Sequence, residues 1–270
     1  MRFFRTASGL AVALALLLLP APSAHATTFT TGEFVTWSQV AWGGTPAPGN
    51  ISYLLEQQFN TVYAPSDLLR VGISGVTGYH FMEFDSGDAL IAYLPSGGTP
   101  AALTVDIDDP TSNAAGGSLG GEVPTLKLNI DFSAAGLLAH PQGVTFGNLV
   151  LIGLTGSMSP LNGLTVNELL VQEDLALGGA PSDFSSVEDA FTLANEVDMA
   201  FNGGPVGEFA AQHLEIIGGS TTPLPAALPL FATGLGGLGL LGWRRKRPGN
   251  PDLRQGRHCG DASQADDLWH

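Results

Sequence analysis

Cysteine is almost missing from this chain, with one residue, Cys259, in 270. Everything before it must therefore fold without a disulfide and act without a thiolate, so the fold has to rest on a hydrophobic core, with or without help from a metal. Basic residues are nearly as scarce. Between residues 27 and 222 there are two, Arg70 and Lys127, against 21 acidic ones, a net of −19. Nucleic acid is excluded as a partner, because phosphate recognition needs clustered Lys and Arg. Adsorption to anionic lipid is disfavoured on the same ground, while solubility and loose cation binding are favoured. Histidine is sparse too: His80, His140 and His213 stand apart from one another and lack the close spacing of zinc ligands. No internal repeat of useful length is visible.

What the chain does have is concentrated at its ends. Residues 1–26, MRFFRTASGLAVALALLLLPAPSAHA, place Arg2 and Arg5 ahead of an apolar run and close on Ala24-His25-Ala26. This is the pattern of a secretory signal peptide cut after Ala26 by signal peptidase, with small residues three and one before the cut. Residues 27–220 are then long enough for one exported domain with a sizeable core.

Along that domain the apolar residues recur with period two. In TLKLNIDFS, residues 125–133, Leu126, Leu128, Ile130 and Phe132 alternate with Lys127, Asn129 and Asp131. Residues 102–108 repeat the alternation, and similar short runs occur at 29–40, 53–63, 69–73, 79–84, 89–94, 144–154, 164–177 and 209–217. Gly-rich turns separate them. The expectation is an all-β fold, an antiparallel β-sandwich of the jelly-roll kind. Ser186, followed three residues later by Asp189, is the exception and reads as a helix start, either a true helix or a single turn before another strand.

Few residues suggest chemistry. Asp106 and Asp108 would share one strand face, and with Asp131 and Asn129 on a neighbouring strand they could form the oxygen-rich cage that calcium takes; solvated strand faces explain the same residues equally well. Asp85 and Asp88 around a tight turn make a second such set. No other cofactor is expected. The stretch Gly116-Gly-Ser118-Leu-Gly120 matches G-x-S-x-G, but its flanks read as a loop rather than the strand and helix that a nucleophilic serine requires. No catalytic residue is assigned. Trp37, Trp42, Tyr53 and Tyr63 are the aromatics that could stack on sugars, with packing in the core as the plainer reading.

The other end is more specific. Residues 221–247, TTPLPAALPLFATGLGGLGLLGWRRKR, join a proline motif, an apolar stretch and four basic residues. As a helix, residues 224–242 would span about 29 Å at about 1.5 Å per residue, close to a hydrocarbon core of about 30 Å. Arg244, Arg245, Lys246 and Arg247 would hold its far end in the cytoplasm. With Pro223, Leu224, Pro225 and Ala226 ahead of it, this segment resembles the PEP-CTERM family of bacterial sorting signals, in its V-P-L-P-A variant, with Thr222 in the valine's place. The resemblance implies cleavage near the motif by an exosortase, a membrane protease, with transient anchoring in the inner membrane and release to the surface or extracellular matrix of a Gram-negative bacterium. It covers the C-terminal segment only. Residues 248–270, a polar and unpatterned tail read as disordered, depart from the family's short ending. The expected role is a non-catalytic structural or polysaccharide-associated component; the alternatives are a secreted hydrolase acting on exopolysaccharide and a simple membrane-anchored adhesin.

Overall fold

The computed structural model describes residues 28–111 and 115–216. Four helices carry most of it: α2 (Ile51–Val62), α4 (Gly117–Ala134), α5 (Val166–Leu177) and α6 (Val187–Asp198), with shorter helices α1 (Gln39–Trp42), α3 (Gly87–Tyr93) and α7 (Glu208–His213). Strands are few and short. A three-stranded sheet has the order β1 (Leu69–Gly72), β2 (Phe81–Phe84), β3 (Ile107–Asp108), antiparallel and then parallel; β4 (Leu149–Leu151) and β5 (Leu214–Ile216) form an antiparallel pair. All of these elements belong to one compact unit.

The all-β sandwich is therefore wrong, and α4 shows why. The segment TLKLNIDFS, the cleanest strand pattern in the sequence, forms the C-terminal half of this 18-residue helix. Leu126, Leu128, Ile130 and Phe132 are buried, but so are Asn129 between them and Thr125 and Ser133 on either side. A helix buried nearly all round has no polar face to show a 3.6-residue period. Its two partly exposed charges, Lys127 and Asp131, are four residues apart and pair at 3.0 Å, the spacing of neighbours on a helix. The period-two reading also fails at residues 53–63 and 164–177, which fall largely in α2 and α5, whereas 69–73 and 79–84 do hold β1 and β2.

Local signals set the helix ends. Ser186 accepts from the Asp189 backbone N–H at 3.1 Å, so the expected helix start is real, and α6 runs for 12 residues beyond it. Asn50 caps α2 and Ser86 caps α3 by the same contact. At α5, Thr165 and Glu168 form a capping box. The start of α4 is built on glycine instead: Gly117 has φ of +60°, and a Cβ there would sit 1.8 Å from the Thr99 carbonyl oxygen. Only glycine allows that approach.

α4 packs chiefly on α6 and α5, with α1 against its flank. Trp42 from α1 meets Phe132 of α4 edge to face at 5.1 Å, and Phe29, Phe34 and Phe201 form a second aromatic group. Burying each such side chain stabilises the fold by about 1.5–3 kcal/mol. Among the described residues no helix is long and apolar enough to cross a membrane. The expected signal peptide, sorting motif, membrane span, basic cluster and tail all lie outside the described residues.

Candidate functional site

The chemistry-bearing side chains gather where α1, α4, α5 and α6 meet. Asn129, in the middle of α4 and fully buried, uses its whole amide. Its Oδ1 accepts from the Trp37 backbone N–H at 2.8 Å and from Trp42 Nε1 at 3.2 Å; its Nδ2 donates to the Trp37 carbonyl and to Asp198 Oδ1, each at 2.9 Å. One side chain thus ties the N-terminal segment to α4 and α6. Thr36 completes the knot, donating through Oγ1 to the Asp198 carbonyl at 2.7 Å and accepting from the Phe201 backbone N–H at 3.1 Å.

Carboxyls line the same junction. Glu173 of α5 and Asp198 of α6 are fully buried, and Glu122 of α4 is 6% exposed. Burial raises all three, well above the ordinary range for Glu173 and Asp198, where the surrounding carboxyls add to the rise. Glu122 is held by Gln39 and Asp198. Half-buried Asp174, beside Glu173, is pushed up to about 7 by burial, against the pull of the Gly72 N–H at 2.8 Å and of Lys127. Sequence reasoning passed over Glu122, Glu173 and Asp198 because acids are numerous and nothing in their spacing marks them as internal.

The acids expected to gather around calcium are separated. Asp131 is on α4, paired with Lys127, not on a strand beside β3. Asp106 accepts from the Phe81 backbone N–H at 3.3 Å and faces His80 Nδ1 at 3.3 Å. Asp108 instead lines a hollow of about 180 Å³ with Glu83, Asp85 and Asp109, where Asp109 accepts from the Asp85 N–H. Asp88 lies in the first turn of α3. The set Asp106, Asp108 and Asp131 thus does not fit one ion, and among the described residues no group of three His, Cys, Asp or Glu side chains is arranged to hold a metal.

Ser118 of the G-x-S-x-G match sits in the first turn of α4, so its downstream flank is a helix rather than the expected loop. Of the four aromatics, Trp42 is fully buried and Tyr63 is 8% exposed, which removes both as stacking platforms. Trp37 is half-buried against the core. Tyr53 alone lines a surface depression, about 410 Å³, with Asn50, Leu54, Gln57 and Gln58. A second groove of about 340 Å³ lies between α6 and α7, where the Phe209 and His213 rings meet tilted at 5.1 Å beside Glu196 and Glu208.

No protein-family model, curated protein or solved structure matches the chain. The functional reading therefore rests on the residues themselves.

Proposed function

We propose that this chain is an exported surface or extracellular-matrix protein of a Gram-negative bacterium, anchored transiently in the inner membrane and processed by signal peptidase and an exosortase-type enzyme. The observation that carries the reading is residues 221–247: Pro223 to Ala226, the apolar stretch and Arg244 to Arg247 follow one another in the order such a sorting signal needs. The basic cluster opposes export of whatever follows it, and the acidic domain before it suits the outer face.

The domain's role is non-catalytic and polysaccharide-associated. Tyr53 supports this, since its ring is half-exposed beside the side-chain amides of Gln57 and Gln58, a pairing of flat apolar surface and neutral hydrogen-bonding groups that suits a sugar. Intact mass of the protein recovered from envelope and medium tests the sorting. A product running from Thr27 to the neighbourhood of Pro223–Ala226, found only when the sorting enzyme is present, is the expected result. Retention of Arg244–Arg247 with and without that enzyme would leave a plain membrane-anchored protein. For the polysaccharide, binding that Tyr53→Ala lowers about tenfold is expected, a loss of about 1.4 kcal/mol in a stacked contact.

A further inference from the structure

Three helices each bring one carboxyl to the junction beneath Asn129: Glu122 from α4, Glu173 from α5 and Asp198 from α6. Donors reach only some of their oxygens. Asn129 serves Asp198 Oδ1 and Gln39 serves Glu122, while both Glu173 oxygens and Asp198 Oδ2 meet no N–H or O–H donor among the described residues. Counter-charge is also lacking. The basic side chains of the described chain are Arg70, held by Glu83, and Lys127, held by Asp131 and acting on Asp174. The titratable groups that do act on the junction are acids: Glu122 and Asp174 on Glu173, Glu122 and Glu173 on Asp198.

An ionised carboxylate with neither donor nor cation in a closed interior is far costlier than the protonated acid. Glu122 and Asp198 face each other as carboxyl to carboxyl, and two carboxylates can hydrogen-bond only if one carries a proton. We propose that the α4–α5–α6 junction is a proton-operated lock, closed while Glu173 and the Glu122–Asp198 pair hold protons and opened by alkali that removes them. What opens is defined by the same contacts: Asp198 is tied through Asn129 and Thr36 to the segment that carries Trp37 and Trp42. The domain's integrity is thereby coupled to the pH of the solution around it, a coupling that holds whether or not the sorting reading is right.

The sign follows from linkage. These carboxyls keep protons in the folded state that the unfolded chain releases above about pH 4, so stability is greatest in acid and declines as pH rises from about 4. Each retained proton lowers the folding constant by about tenfold per pH unit until the folded group ionises. For Asp174 that contribution is spent near pH 7, where its own value, about 7, is reached. Glu173 and Asp198, raised well above the ordinary carboxyl range by complete burial, contribute declines of the same sign.

Urea unfolding of the full chain at about pH 5, 7 and 9, in about 0.1 M and about 1 M salt, tests the lock. Repulsion among surface acids also weakens the fold as pH rises, but salt screens it, whereas the buried protons are indifferent to salt. The expected result is a folding constant that still falls with pH in high salt. Glu173→Gln and Asp198→Asn, which keep shape while removing the titration, each flatten that slope by about one proton, and the surface change Glu188→Gln leaves it unchanged. A slope that vanishes in high salt, or survives in both buried variants, overturns the proposal. If those variants fail to fold, infrared spectroscopy of the unaltered chain at neutral pH decides: the carbonyl stretch of a protonated carboxylic acid, lost on unfolding, is expected, and its absence is fatal to the idea.

Discussion

Two regions of this protein are built from the same side chains and obey opposite rules. Around the β1–β2–β3 sheet, Asp85, Asp106 and Asp108 are exposed and Asp109 is half-buried; Asp106 and Asp109 accept backbone N–H groups, and Asp85, Asp108 and Asp109 border a hollow open to water. At the α4–α5–α6 junction, Glu122, Glu173 and Asp198 are enclosed; Asn129 donates to Asp198 and Gln39 holds Glu122, while both Glu173 oxygens lack a donor among the described residues. On the sheet an acid contributes charge and can be exchanged for another polar group. In the junction its charge is what the fold must avoid. Net charge is therefore a poor guide to where acids matter in this molecule.

The contrast is broken most severely at Asn129. Replacing it with Ala leaves Trp42 Nε1, the Trp37 N–H and carbonyl and Asp198 Oδ1 without their partner. Each stranded buried group costs about 1–3 kcal/mol, and partial relaxation brings the expected loss to about 3–5 kcal/mol, measured by urea unfolding. Thr36→Val keeps the shape but removes the hydroxyl between the Asp198 carbonyl and the Phe201 N–H, with an expected cost of about 1–3 kcal/mol. A loss at Asn129 no larger than one from a sheet acid such as Asp108→Asn would show that the junction is not what organises the domain.

The same contrast explains how much could be read in advance. β1 and β2 were legible because each is a short apolar alternation bounded by turns, with one side toward the core. α6 was legible from Ser186 and Asp189. α4 was not, because burial around its whole circumference removed the helical period and left an accidental alternation in its place. The signal that could have corrected it was the Lys127–Asp131 spacing, four residues apart as helix neighbours are. Similarly, Thr165-Val-Asn-Glu168 is a capping box in plain view and marks α5 as a helix. The junction's acids carried no such mark. Glu122, Glu173 and Asp198 lie 51 and 25 residues apart in sequence, and only the packing of three helices brings them together.

Smaller effects sharpen the comparison from the exposed side. Thr165 Oγ1 accepts from the Glu168 N–H at 3.1 Å, and the Glu168 carboxylate accepts from the Thr165 N–H at 2.8 Å, which holds Glu168 below its ordinary range. A depressed carboxyl contributes stability above the unfolded value of about 4.3 and loses it as pH falls through the folded one, the reverse of the junction. Thr165→Ala should cost about 1 kcal/mol near neutral pH and less in acid. Thermal unfolding at both pH values checks the sign.

The least effect belongs to Arg70 and Glu83, paired across β1 and β2 with Nε to Oε2 at 2.7 Å. The Arg70 side chain is 44% exposed, so water and salt screen the pair, and Glu83→Gln should cost about 0.5 kcal/mol or less, falling further in high salt. Arg70 also lies over the Phe81 ring at 5.0 Å, a contact the substitution leaves in place. Arg70→Met should therefore cost more than Glu83→Gln in high salt, where only the ion pair has been screened. Equal losses would mean that the ring contact contributes nothing, and that this face of the sheet is held by its ladder and its buried side alone.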